Sequence, residues 1–156
     1  MNLGEILANS ARHHPDRAAL VWDEGRQRRS YRELDKRADA LAAGFVNGLG
    51  VQPGDRVGVM MSNGPDLLET LFATWKAGCT VVPLNARFTP DEIEYHLGDS
   101  EARVFVVGPE FVSTVVDLRD RLSSVESLVL PDEVDDKAVS LRHLLARHSG
   151  RPRLDR

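Results

Sequence analysis

The sequence predicts an α/β domain: a mainly parallel sheet flanked by helices, with a small N-terminal helix and β-hairpin. Two observations carry this expectation. Short apolar runs of strand length alternate with capped helical segments from residue 56 onward. The stretch Arg56–Asn85, RVGVMMSNGPDLLETLFATWKAGCTVVPLN, reads as strand, helix, strand. Two strands joined by a helix form a right-handed crossover and run parallel. At 156 residues the chain suits one domain with a substantial core. We assign residues 1–156 to that single domain. Within it, 1–55 hold a helix, a hairpin and a long helix, 56–131 the βαβ core, and 132–156 a loop and basic tail.

Taken in order, Leu3, Ile6, Leu7 and Ala11 share one face of a short helix that ends before Pro15. Ala18–Trp22 reads as a strand, Asp23-Glu24-Gly25 as a turn, and Arg26–Arg29 as the returning arm of a hairpin. Ser30 and Glu33 have capping-box spacing at the start of a long helix. Tyr31, Leu34, Ala38, Leu41, Ala42 and Phe45 make its buried stripe, and Gly48 and Gly50 end it. Val57–Met61 is an apolar run suited to a strand buried on both faces. Pro65 fits the first helical position, with Ser62 or Asn63 as cap. Leu68, Leu71, Phe72 and Trp75 recur at core-facing helical spacing, and Gly78 stops that helix. Thr80-Val81-Val82 is a second buried strand, closed by Pro83. Thr89 and Glu92 repeat the capping-box spacing around Pro90; Ile93 and Leu97 face inward and Gly98 closes the helix. Val104–Val107 is a strand, Phe111–Leu122 a helical pattern, and Leu128–Leu130 a last short strand. Asp132–Lys137 is acidic and loop-like, and Leu141, Leu144 and Leu145 mark one or two helical turns. The strands near 57–61, 80–83, 103–107 and 127–130 are expected in one sheet.

Lys76-Ala77-Gly78-Cys79-Thr80-Val81-Val82-Pro83-Leu84-Asn85 resembles the "KAG-x-x-x-P-x-N" core motif of adenylate-forming (AMP-binding) enzymes. That superfamily includes acyl-CoA synthetases, aryl-CoA ligases, luciferases and peptide-synthetase adenylation domains. Ser30-Tyr31-Arg32-Glu33-Leu34 resembles the family's "[ST]-Y-x-E-L" motif, and Gly54-Asp55-Arg56-Val57 its "GDRV" strand entry. The resemblance covers nearly the whole chain but only the opening part of such an enzyme. It implies the first subdomain of the acyl-CoA synthetase-like fold. It also implies the N-terminal portion of an ATP-dependent carboxylic acid–CoA ligase. Such an enzyme makes an acyl adenylate and pyrophosphate, and CoA thiol then displaces AMP. ATP, Mg and CoA are the cofactors and co-substrate implied for the complete enzyme. None is expected to be bound by this stretch, because the family's phosphate loop, magnesium carboxylate, ribose aspartate and C-terminal lysine have no counterpart in it. Asn85 stands where peptide-synthetase domains often carry aspartate, so the resemblance leans toward fatty or aryl acids. One site residue follows from it. In some CoA ligases an arginine just after the "P-x-N" strand end contacts a CoA nucleotide phosphate, and Arg87 holds that place here. A permanently charged, bidentate guanidinium suits a phosphate. A solvated loop arginine, or one paired with Asp91 or Glu94, is the competing reading.

Other chemistries find little support. The turn Ser62-Asn63-Gly64-Pro65-Asp66 lacks the three glycines of a dinucleotide fingerprint, and Asp66 would oppose an incoming phosphate. His13, His14, His96, His143 and His148 show no metal-ligand spacing, and no serine sits in a G-x-S-x-G elbow. Cys79, the only cysteine, opens a strand with no basic partner evident and reads as structural. We therefore expect no catalytic residue and no metal ligand in this chain. The net charge of −4 implies no general affinity for nucleic acid. Arg142, Arg147, Arg151, Arg153 and Arg156 read as a solvated basic terminus. No apolar run is long enough to span a bilayer, and a cytoplasmic location is the default. Partners implied are a carboxylic acid and CoA, with self-association expected if faces meant for further subdomains stay apolar and open. The alternative is a stand-alone α/β binding or interaction module derived from such a ligase.

Overall fold

The computed structural model describes residues 3–133 and 135–150. Helix α1 (Leu3–His13) leads into a hairpin, β1 (Ala18–Trp22) and β2 (Gln27–Ser30), which pair antiparallel. Helix α2 (Tyr31–Leu49) carries the full capping box: Ser30 Oγ accepts from Glu33 N, and the Glu33 carboxylate accepts from Ser30 N. It runs through Gly48 and ends at Gly50, whose φ of 69° is the left-handed conformation that closes helices. Then come β3 (Arg56–Met60), α3 (Pro65–Lys76), β4 (Thr80–Pro83), α4 (Pro90–Asp99) and β5 (Val104–Val107). Helix α5 (Val112–Leu118), β6 (Ser127–Leu130), β7 (Val139–Ser140) and α6 (Leu141–His148) complete the chain.

Five strands form one sheet in the order β4-β3-β5-β6-β7, every neighbouring pair parallel. The four expected strands all lie in it. The period-2 side-chain rule divides its core into two layers. Val57, Val59, Val104, Val106 and Val129 face Leu41, Phe45 and Ala73, the layer of α2 and α3. Met60, Phe105, Val107, Leu128 and Leu130 face Ile93, Leu97, Val115 and Leu118, the layer of α4 and α5. Gly58 sits on this second face at the crowded centre. A Cβ there would lie 2.5 Å from Leu97 Cδ2 and 3.1 Å from Phe105 Cδ2. Absence of a side chain is what lets α4 close on the sheet.

Several expectations need correction. On α1, Leu3 and Ile6 are exposed, and the packed face is Gly4, Leu7 and Ala8. Gly4 permits that contact, since a Cβ would meet Lys76 Cγ at 2.6 Å. Strand β4 is an edge strand, so it is half-exposed and not buried on both faces. The N-cap of α3 is Gly64, without a side-chain bond; neither Ser62 nor Asn63 caps it. Leu68, Leu71, Phe72 and Trp75 are only half-buried, while Glu69, Thr70, Ala73, Thr74 and Lys76 are the buried residues of α3. Charges can be buried here because α2 and the hairpin supply partners. Lys76 Nζ donates to Asp35 and Asp39, and Glu69 accepts from Arg29 and Arg37. Gly98 lies inside α4, which runs to Asp99. In the stretch 132–156, assigned as loop and tail, the helical turns expected at Leu141, Leu144 and Leu145 are α6, while the two-residue β7 was not expected. Of its arginines, Arg142 pairs with Asp132 at 2.9 Å. Arg151, Arg153 and Arg156 lie outside the described residues.

Candidate functional site

The loop from β4 to α4 is built by Asn85. Its side-chain Oδ1 accepts from Arg87 N at 2.9 Å, and its backbone carbonyl accepts from Phe88 N at 3.0 Å. Two hydrogen bonds onto one residue make a tight turn that points Phe88 toward the sheet and leaves Arg87 exposed. The turn delivers the chain to Thr89. Its Oγ1 caps α4, and its N–H donates to Glu92 Oε2 at 2.7 Å. Those bonds hold the Glu92 carboxyl below its ordinary value.

The guanidinium of Arg87 makes no hydrogen bond or ion pair among the described residues. The pairing with Asp91 or Glu94 weighed from sequence does not form. Arg121 takes both: its Nη2 donates to Asp91 Oδ1 at 2.6 Å and its Nε to Glu94 Oε2 at 2.8 Å. Every acidic side chain on the first turns of α4 is thus engaged elsewhere. A free, exposed guanidinium on an ordered turn suits a phosphate or carboxylate.

A second feature lies at the carboxyl ends of the strands. In the order β4-β3-β5, the chain leaves β3 toward one side and returns to β5 on the other. Open parallel sheets place their ligand crevice at such a switch point. Here a cleft of about 380 Å3 opens there, between the β3–α3 turn, the segment after β5, and helices α2 and α6. Leu41, Met61, Leu67 and Leu145 give it apolar walls. An amide of the turn is already taken: Ser62 N donates to Glu110 Oε1 at 2.6 Å, and hydrogen bonding from Ser62 holds Glu110 below the ordinary 4.5. Asp66 and Glu110 line the cleft together with Arg37 and Arg142, and Asp66 in the first turn of α3 opposes a phosphate at that helix start. The missing glycines of this turn and Asp66 already pointed that way in the sequence. The cleft itself and Glu110 were not foreseen, because only the strand order brings Glu110 beside Ser62.

The remaining candidates are structural. Cys79 is buried, its thiol donating to Gln52 O at 3.4 Å. His148 is buried with Nδ1 at 2.9 Å from Leu144 O, and His143 lies 3.4 Å from Glu133. Among the described residues no group of three or more His, Cys, Asp or Glu side chains is placed to hold a metal ion, and no helix is long and apolar enough to cross a membrane. His96 stacks on Phe88, a pairing that no sequence pattern announced.

Comparison with known proteins gives concordant results. The profile of the family described as "AMP-binding enzyme" matches residues 7–151. A feruloyl-CoA synthase from Amycolatopsis is 39% identical over 140 residues, which is 89% of this chain and 28% of that protein. A long-chain-fatty-acid–CoA ligase from Salmonella typhimurium is 33% identical over 129 residues, 83% of this chain and 22% of the ligase. The chain therefore spans about a quarter of the length of these relatives. Among solved structures, a putative long-chain-fatty-acid CoA ligase from Rhodopseudomonas palustris superposes with a TM-score of 0.85 at 27% identity, covering 99% of this chain and 38% of that one. The N-terminal domain of FACL13 from Mycobacterium tuberculosis gives a TM-score of 0.87 at 24% identity, over 100% of this chain and 39% of that one. That last likeness bears on the fold alone.

Proposed function

The chain belongs to the AMP-binding enzyme family, and from that premise we propose that it is the N-terminal portion of an ATP-dependent carboxylic acid–CoA ligase. The observation that carries this reading is the match of residues 7–151 to the family together with 39% identity to a feruloyl-CoA synthase. In the complete enzyme a carboxylate would attack ATP to give an acyl adenylate and pyrophosphate, and CoA thiol would then displace AMP. This region contributes the five-stranded scaffold, one wall of the approach to the reacting groups, and Arg87. Its guanidinium takes a phosphate of the CoA nucleotide: it is permanently charged, exposed and unpaired, and its turn is pinned by Asn85. Adenylyl transfer also needs preorganised cations, amides and a metal around the ATP phosphates. The residues described do not fit that role. The β3–α3 turn carries Asp66, Glu110 reaches it from the segment after β5, and among the described residues no group of three or more His, Cys, Asp or Glu side chains is placed to hold a metal ion. We infer that the chain by itself does not catalyse adenylation. An aryl or fatty acid as substrate and a cytoplasmic location are part of the same proposal.

One observation favours an added interaction role. Leu68, Leu71 and Trp75 stand half-exposed on α3. They form an apolar row suited to another subdomain or a second copy.

The test is pyrophosphate release with ATP, magnesium and a panel of short, long and aromatic acids. We expect no turnover above a no-protein control from residues 1–156, and turnover from a longer form carrying the following subdomains. Turnover by the 156-residue chain that survives repurification would end the reading.

A further inference from the structure

Ionic side chains line the cleft at the carboxyl ends of β3 and β5, and their partners decide what it can take. Arg37 donates from Nε to Glu69 Oε1 at 2.7 Å, and Glu69 also accepts from Arg29. Arg142 pairs with Asp132 at 2.9 Å. Both cations of the cleft therefore have carboxylates of their own. The remaining two acids have no such cation. Glu110 is bonded by the Ser62 amide, a neutral donor, and hydrogen bonding from Ser62 holds its carboxyl low, so it keeps its negative charge. Asp66 is exposed, and its carboxylate makes no hydrogen bond or ion pair among the described residues. The cation that senses its charge, Arg29, is already bonded to Glu69.

Two anionic groups thus border a cleft of about 380 Å3 whose walls are Leu41, Met61, Leu67 and Leu145. That combination selects a ligand. An apolar body gains by leaving water for a concave site of this size, and the flexible Met61 side chain adapts to its outline. A carboxylate or phosphate on that body would meet Asp66 and Glu110 and be repelled, whereas an ammonium would be attracted. We propose that the cleft is a binding site for a small organic cation, an aryl- or alkyl-ammonium, with its apolar body against Met61, Leu67 and Leu145 and its charge beside Asp66 and Glu110. Arg87 takes no part in this cleft, so the inference is independent of the ligase reading.

The experiment titrates the 156-residue chain with three probes of one shape: phenethylamine, phenethyl alcohol and hydrocinnamate, which are cationic, neutral and anionic. Methyl resonances of Met61, Leu67 and Leu145 are followed by NMR, with Leu97, buried on the opposite face of the sheet, as the reference. The expected result is movement of the three cleft methyls and not of Leu97. The amine should bind about fivefold tighter than the alcohol, the upper range for a solvent-exposed ion pair, and hydrocinnamate weakest. Asp66→Asn should remove most of that preference and leave the alcohol unchanged, as should 1 M salt, which screens charges beyond about 3 Å. Asp66 is exposed, and an unchanged backbone spectrum of the variant confirms the fold. Hydrocinnamate binding as tightly as the amine, or a preference that survives Asp66→Asn, would overturn the assignment of charge. Cleft methyls that respond to none of the three probes would overturn the site itself.

Discussion

Two residues show how single positions determine the packing. Gly58 leaves room on the sheet for Leu97, which would lie 2.5 Å from an added Cβ. Both Leu97 and Phe105 are fully buried, so neither has open space to swing into. We expect Gly58→Ala to cost about 1–3 kcal/mol, the usual penalty of overpacking a closed core. Urea unfolding should show a lower midpoint with an unchanged slope. Lys76, whose side chain is 3% exposed, is a residue of the family motif with a physical reason for its place. Its ammonium is shared between Asp35 and Asp39 of α2, with side chains 20% and 17% exposed. Lys76→Met keeps the stem's bulk but strips both carboxylates of that ammonium. A loss of about 3–5 kcal/mol follows from breaking a buried ion cluster on one side. Adding Asp35→Asn and Asp39→Asn should recover part of it, read as a non-additive cycle of unfolding free energies. If the losses simply add, Lys76 acts through packing and not through charge.

At the scale of elements, what was legible was whatever local chemistry determines. The two capping boxes are the clearest case, since Ser30 with Glu33 and Thr89 with Glu92 close within four residues and need no tertiary partner. Their energetics have a sign that can be checked. Both carboxyls sit below their ordinary 4.5 because the Ser30 and Thr89 backbone amides donate to them first of all. A depressed carboxylate contributes stability that is present above the unfolded value and is lost as pH falls through the folded one. Stability should therefore decline below about pH 4.5, and the decline should be shallower in the Glu33→Gln, Glu92→Gln double variant. An acid limb unchanged in that variant would mean the boxes contribute nothing through charge. Helix α3 shows the opposite case. Leu68, Leu71, Phe72 and Trp75 have ideal apolar spacing, yet the buried face carries Glu69, Thr70 and Lys76. Periodicity reports where apolar residues lie, not which side the neighbours occupy. Partners for Glu69 and Lys76 come from Arg29, Arg37, Asp35 and Asp39, more than thirty positions away, beyond the reach of any local pattern. The two-residue β7 and the cleft beside Glu110 were hidden for the same reason. Both exist only once five strands are put in order.

For the whole molecule, the unused apolar surface is the informative quantity. The sheet is covered on both faces, by α2, α3 and α6 on one side and α4 and α5 on the other. Its β4 edge stays half-open, and α3 turns Leu68, Leu71 and Trp75 only partly inward. A domain that had evolved to stand alone would be expected to carry polar residues at Leu68 and Leu71, whereas Trp75 packs edge-on against Phe72 at 5.3 Å. In the relatives, this region is about a quarter of a longer chain; on the proposed reading a neighbouring subdomain would cover such a row. Without that occupant, the row should find a second copy. We expect the 156-residue chain to self-associate with rising concentration in sedimentation velocity runs. Leu68→Lys with Leu71→Lys should shift it to monomer while the chain stays folded, at some cost in unfolding free energy because both side chains are half-buried. In a longer form carrying the next subdomain, the parent chain should be monomeric and the same double variant destabilised. A parent chain that stays monomeric at every concentration would instead favour an independent module, with the α3 row covered by nothing.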